Sequence, residues 1–247
     1  MSPQIPDRNI AAAPLQTRDR LIVALDVSTA REAGELVRLI GDNAGLYKVG
    51  LQLYTNEGPT FVREMIASGR RVFLDLKLHD IPNTVGHAVK AARDLRVDML
   101  TVHASGGRAM LQAAAENAGD VSLLVVTVLT SFTESDLNEV GVPGEVASQV
   151  MRMAKLATEA GIRGVVSSPR EASLLRNNLG EDFLIVTPGI RPAGTDVNDQ
   201  QRIATPASAL AAGASHLVVG RPITHAADPA RAAREIVEEM TGAQAAV

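Results

Sequence analysis

Cysteine is absent from the 247 residues, and so is tryptophan. Without cysteine there are no disulfides, no thiolate nucleophile and no cysteine-held metal, which suits a reducing cytosol. Aromatic residues make up only 2% of the chain, so the core must be built from Leu, Val, Ile and Ala. The same scarcity speaks against nucleic acid as a partner, because single-strand binders stack bases on aromatic rings. Net charge is −4, so no global field gathers polyanions, and an anionic ligand would need a local basic pocket. No apolar run approaches the about eighteen residues of a membrane span. The opening MSPQIPDRNIAAAPLQTRDR lacks a charged segment followed by an apolar one and does not read as a secretory signal. Residues 1–18 read as a flexible arm, 19–240 as one catalytic domain and 241–247 as a fraying tail. A cytoplasmic location is the expectation.

What the chain does have is a rhythm of short apolar runs. They are LIVALDV (21–27), GLYKVGL (45–51), RVFLDLK (71–77), DMLTVHA (98–104), SLLVVTVLT (122–130), GVVSS (164–168), FLIVTPGI (183–190) and HLVVGR (216–221). Near-continuous apolar runs of this length suit strands covered on both faces, hence a parallel sheet. Helix-like stretches lie between them. TAREAGELVRLIG puts Ala33, Leu36, Val37 and Ile40 on one stripe, with Gly41 where a C-cap belongs. In DPARAAREIVEEM, Asp228 is placed to cap a helix that begins at Pro229. Eight such alternations predict a single-domain α/β fold, the (β/α)8 TIM barrel, for which this length is typical. The longest connection, SFTESDLNEVGVP (131–143), is expected to hold a short helix of its own.

In such a barrel, active-site residues lie at the C-terminal ends of the strands. Asp26, Lys48, Asp75, Lys77, Thr130, Ser131, Arg191 and Arg221 all fall there. The densest stretch is LDLKLHDIPNTV (74–85). Strand alternation would send Leu74, Leu76 and Leu78 to the helices and Asp75 and Lys77 into the barrel mouth. A buried ion pair that only fills space is the competing reading. Lys48 and Asp26 at equivalent strand ends weigh against it, because an array of charges out of water is expensive unless it has a task. Asp80 alone would be an ordinary turn aspartate or helix cap, while its spacing from Lys77 also suits the rim or a subunit contact.

VTPGIRP (186–192) and LVVGRPIT (217–224) place glycine and arginine at the ends of the seventh and eighth strands. Those two loops are the usual phosphate site of these barrels, and arginine adds bidentate charge-assisted bonds. Two surface arginines after turn glycines are the plainer alternative. AGTDVNDQQR (193–202) reads equally as a lid over the phosphate or as a surface loop. His103 is placed to face the site; His79, His87, His216 and His225 are expected to be structural or exposed. No His/Asp cluster has metal-ligand spacing, although magnesium held by carboxylates would leave no such mark.

Taken in order, ALDV, YKVG, LDLKLHDIPNTV, LTS, TPGIRP, a Gln ahead of RIATP, and VVGRPIT cover nearly the whole chain. Together they resemble orotidine 5′-phosphate decarboxylase of the bacterial type, in the ribulose-phosphate-binding barrel superfamily. The D-x-K-x-x-D element alone is less specific, since related sugar-phosphate barrels share it. The resemblance implies conversion of orotidine 5′-monophosphate to UMP and CO2, the last step of de novo pyrimidine synthesis, with no metal or organic cofactor. It makes Asp75 the carboxylate beside the departing CO2 and Lys77 the proton donor to C6. Lys48 joins the same array, and Asp26 binds a ribose hydroxyl. Asp80, Ile81 and Thr84 would reach into the partner's site across a homodimer. Thr130 and Ser131 would contact the pyrimidine region. Pro188, Arg191, Gln200, Gly220 and Arg221 would hold the phosphate end, Gln200 being preferred to Gln201 for its spacing to RIATP.

Two other functions compete. A magnesium-dependent aldolase or decarboxylase of sugar phosphates would share the barrel, the phosphate site and D-x-K-x-x-D. Lys48 argues against it, since those relatives resemble one another in carrying a carboxylate there. A non-catalytic phosphometabolite-binding barrel is the other, and it has no need of a paired charge at a reacting carbon.

Overall fold

The structure is a computed structural model that describes residues 16–192 and 204–244. Eight parallel strands close a barrel in chain order: β1 (Leu21–Ala24), β2 (Leu46–Gly50), β3 (Val72–Leu78), β4 (Met99–His103), β5 (Ser122–Val126), β6 (Gly164–Val166), β7 (Leu184–Thr187) and β8 (His216–Val219). The seam is β1 on β8, with Ile22 opposite Val218. Around it run α1 (Ala30–Ile40), α2 (Leu51–Ala67), α3 (Pro82–Asp94), α4 (Gly107–Ala118), α5 (Glu134–Glu139), α6 (Val146–Glu159), α7 (Pro169–Leu179), α8 (Pro206–Ala211), α9 (Arg221–Thr224) and α10 (Pro229–Gln244). The expected eightfold alternation is therefore present.

Each strand is apolar on both faces because each face has its own layer to fill. Ile22, Leu46, Phe73, Met99, Leu124, Val186 and Val218 pack inside the barrel. Their neighbours Leu21, Val23, Tyr47, Leu74, Leu100 and Leu217 pack outward against the helices. Fully burying one such side chain contributes about 1.5–3 kcal/mol, so the two layers together stabilise the closed sheet strongly.

Two residues beyond that inner apolar layer, the inward positions change character. Leu46 gives way to Lys48, Phe73 to Asp75 and Met99 to Thr101, while Ala24 precedes Asp26. On β5 and β6 the corresponding wall stays apolar, with Val126 and Val166. One half of the mouth is thus charged and the next part oily. The strands also stop sooner than their apolar runs. In SLLVVTVLT only Ser122–Val126 is strand, and the chain then leaves the ladder to bring Val128, Leu129 and Thr130 over the mouth.

Local signals explain the helices. Thr29 caps α1 by accepting the Glu32 N–H, Ala33, Val37 and Ile40 are buried, and Gly41 ends it with φ of 57°. Asp228 Oδ1 accepts the Arg231 N–H at 2.9 Å, as its place before Pro229 predicts. The connection 131–143 does contain a helix, α5, started by a Thr133/Asp136 capping box. At the chain's entry, Thr17–Arg20 forms a 3-10 turn, and the Arg20 guanidinium donates to the carbonyls of Ser215 and Ala214. At the other end α10 continues past Met240 to Gln244, with Thr241 Oγ1 donating to Val237 O.

Candidate active site

The charges at the ends of β1, β2 and β3 meet in one alternating chain. Lys48 Nζ lies 2.9 Å from Asp26 Oδ1 and 3.6 Å from Asp75 Oδ2. Lys77 Nζ lies 2.8 Å from Asp75 Oδ1. Lys48 and Asp75 are both buried, while Asp26 opens to solvent. Burial by itself pushes the Asp75 carboxyl up. The charges of Lys48 and Lys77, with hydrogen bonds from Lys77 and Thr101, outweigh that and hold it below the usual carboxylate range. A glycine makes room for this arrangement: a Cβ on Gly50 would stand 2.9 Å from Lys48 Nζ.

Lys77 lines the mouth beside Asp75, as strand alternation predicts, but the strand that carries them is not regular. β3 and β4 pair at Leu74 with Leu100 and next at Leu78 with Val102, so residues 75 to 77 face Thr101 alone. The surplus residues form a bulge, and Lys77 takes a left-handed φ of 52°. Leu74, Leu76 and Leu78 still pack on the outer layer, as the alternation suggested. Asp75 and Lys77 both line the mouth, but Lys77 arrives there through the bulge.

The mouth is a cavity of about 420 Å³. Asp26, Lys48, Asp75 and Lys77 line one side, Phe73, Val126, Val128 and Val166 the floor and wall, and Pro188, Arg191, Gly220 and Arg221 the remaining side. Arg191 is buried, its Nη1 donating to Ile190 O at 2.9 Å. A backbone bridge joins Ile190 to Ala204, the Arg191 N–H donating to Ala204 O and the Ala204 N–H to Gly189 O. A cavity with carboxylates and ammoniums at one end and two guanidiniums at the other suits an elongated substrate with an anionic tail.

Of the residues singled out from sequence, Thr130 joins this cavity, while Ser131 is exposed and does not line it. Asp80, Ile81 and Thr84 stand exposed at the start of α3, outside this chain's own cavity, and Asp80 Oδ1 accepts the Ile81 N–H. Gln200 and the whole segment 193–202 lie outside the described residues. His103 does not line the cavity; its ring packs on His79 at 5.5 Å between centroids. Among the described residues no cluster of His, Asp or Glu could hold a metal ion, and no helix is long and apolar enough to cross a membrane. Sequence reasoning passed over Thr101 and the apolar wall. Thr101 left little signal, because a threonine within a strand satisfies ordinary β preference.

Comparison with known proteins bears on these features. The model of the orotidine 5′-phosphate decarboxylase / HUMPS family matches residues 19–236. The chain belongs to that family. An orotidine 5′-phosphate decarboxylase of Heliobacterium modesticaldum is 50% identical over 236 residues, covering 92% of this chain and 97% of the relative. That of Moorella thermoacetica is 52% identical, covering 92% and 94%. Among solved structures, orotidine 5′-phosphate decarboxylase from Lactobacillus acidophilus superposes with a TM-score of 0.81 at 40% identity, over 89% of this chain and 98% of the other.

Proposed function

We propose that the chain is an orotidine 5′-phosphate decarboxylase, converting orotidine 5′-monophosphate to UMP and CO2 in pyrimidine nucleotide biosynthesis. The observation that carries this reading is the alternating array Asp26, Lys48, Asp75, Lys77, set across one cavity from Arg191 and Arg221. Lys48 in that array also disfavours the sugar-phosphate branch of the family, because an ammonium stands where those relatives resemble one another in having a carboxylate.

The chemistry explains the parts. Loss of CO2 leaves an electron pair at C6 that lies in the plane of the pyrimidine and is poorly delocalised into its π system. Fixed charge must therefore stabilise it. Lys77 supplies an ammonium whose attraction grows as the carbanion forms, so it favours the transition state over the ground state. The same group then gives its proton to C6. Asp75 holds Lys77 in place and crowds the substrate carboxylate with like charge. Lys48 and Asp26 continue the array to the ribose, where the exposed carboxylate of Asp26 accepts from a hydroxyl. Arg191 and Arg221 take the phosphate, with Pro188, Gly220 and Gln200 beside it, and Thr130 and Ser131 serve the pyrimidine end. Binding energy from the phosphate is spent on holding C6 against Lys77.

The exposed run of Asp80, Ile81 and Thr84 supports a homodimer in which each chain completes its partner's site. Ile81 is 65% exposed, an unusual position for a large apolar side chain beside a charged mouth. A biosynthetic role on a soluble metabolite agrees with a cytoplasmic location. The direct test is CO2 release from orotidine 5′-monophosphate, with and without excess EDTA. Turnover unaffected by EDTA is expected. A folded protein that releases no CO2 would overturn the reading, and turnover that EDTA abolishes would return the sugar-phosphate branch.

A further inference from the structure

Lys77, at φ of 52°, stands in a backbone region that residues with a Cβ avoid. Such strain persists only where the surroundings over-determine it. The β3–β4 ladder does not hold Lys77, since pairing lapses between Leu74 and Leu78. A side chain takes its place. The Lys77 N–H donates to Thr101 Oγ1 at 2.8 Å, and that hydroxyl donates to Asp75 Oδ1 at 3.0 Å. Asp75 Oδ1 also accepts from Lys77 Nζ at 2.8 Å, so the bonds close into a ring that begins and ends on Lys77.

The direction of each bond is forced. An amide N–H can only donate and an ionised carboxylate can only accept, so the Thr101 hydroxyl must accept from one and donate to the other. Thr101 is wholly buried on the inward face of β4 and does not line the cavity. Removing its hydroxyl would take the acceptor from the Lys77 N–H and a donor from Asp75.

We propose that Thr101 is a positioning residue for the decarboxylation, its hydroxyl fixing the β3 bulge so that Asp75 and Lys77 meet the substrate as one unit. This rests on the reading that those two residues carry the chemistry. With valine at the position, Lys77 would relax toward an ordinary strand conformation and its ammonium would leave its place beside Asp75. A misplacement of about 1 Å lowers turnover roughly 10²-fold.

The test is the pH dependence of orotidine 5′-monophosphate decarboxylation by the wild type, Thr101→Ser and Thr101→Val. Serine keeps the hydroxyl and is expected to hold kcat within a few-fold. Valine keeps the shape and is expected to lose about 10²-fold in kcat. Its KM should change little, since the phosphate contacts lie across the barrel. The acid limb of its kcat profile should move to higher pH, because Asp75 has lost a donor while still facing Lys48 and Lys77. A valine variant with wild-type kcat and an unmoved acid limb would overturn the proposal. So would a serine variant as impaired as the valine one, which would assign the effect to packing of the methyl group. If the valine chain does not fold, Thr101→Cys bears the same test, its thiol filling the space with a weak donor; an unaltered kcat and acid limb there would overturn the proposal too. Undiminished turnover in Lys77→Ala would instead remove the catalytic reading on which the proposal stands.

Discussion

Asp75 and Lys77, separated by one residue in the chain, meet at 2.8 Å between Oδ1 and Nζ, and both line the cavity from the bulged end of β3. Asp75 also stands 3.6 Å from Lys48, so one carboxylate serves two ammoniums. Asp75→Asn should therefore lower stability as well as turnover. The stability loss should fall below the roughly 3–5 kcal/mol of a fully buried pair, because the Lys77 side chain is 31% exposed and Lys48 retains Asp26. Urea denaturation of the two proteins measures it. A variant as stable as the wild type would show that the array carries no structural burden.

Arg221→Ala is expected to weaken binding of UMP by about 2–3 kcal/mol, the worth of a charge-assisted contact. Its affinity for uridine, which lacks the phosphate, should stay unchanged. Calorimetric titration with both ligands separates the two. Equal losses for both would move Arg221 away from the phosphate.

Two glycines of β2 and its approach should respond in opposite ways. A Cβ on Gly45 would sit 2.4 Å from the backbone Cα of Asp19, which cannot yield without moving the entry to β1. Gly45→Ala should cost about 1–3 kcal/mol of stability. A Cβ on Gly50 meets the movable tip of Lys48 instead. Gly50→Ala should fold nearly as well as the wild type and lose turnover. Thermal denaturation and kcat for both variants check the contrast.

His216 at the base of the barrel is buried, and burial first, then the charges of Arg20 and Arg71, lower its pKa from 6.5 to about 4. The unfolded chain binds this proton more readily than the folded one, so stability rises with pH across the window. His216 should contribute fully above pH 6.5 and lose about 3 kcal/mol of stability as pH falls toward 4. Asp75, also depressed, acts lower still, below its ordinary value of 3.8. His216→Gln should flatten the stability profile between pH 6.5 and 4 relative to wild type. Parallel profiles would contradict the assignment.

If Asp80 serves the neighbouring subunit, Lys77→Ala and Asp80→Ala chains, each inactive alone, should regain activity when refolded together. One site of the mixed dimer would then contain both native residues. No recovery would place Asp80 within its own chain's chemistry.

The barrel was legible in the sequence because strands such as LIVALDV and HLVVGR must be apolar on both faces, and only a covered parallel sheet asks for that. Lys48, Asp75 and Arg191 were legible because each is a charge at the end of such a run. Thr101 was not, since a threonine in a strand satisfies ordinary β preference and its role exists only through the neighbouring bulge. The bulge itself leaves no mark in LDLKL, where strict alternation and a left-handed Lys77 place the same residues at the mouth. Phe73, Val126 and Val166 were passed over for the opposite reason: apolar residues in strands read first as core, and here they are core and cavity wall together.

The most direct measurement compares Lys77→Ala with the wild type for turnover of orotidine 5′-monophosphate and for affinity to UMP. Turnover should fall by at least about 10³-fold, since both charge stabilisation and the proton to C6 are lost, while UMP binding stays within a few-fold. A Lys77→Ala protein that decarboxylates at the wild-type rate would show that the array around Asp75 is not the catalytic centre.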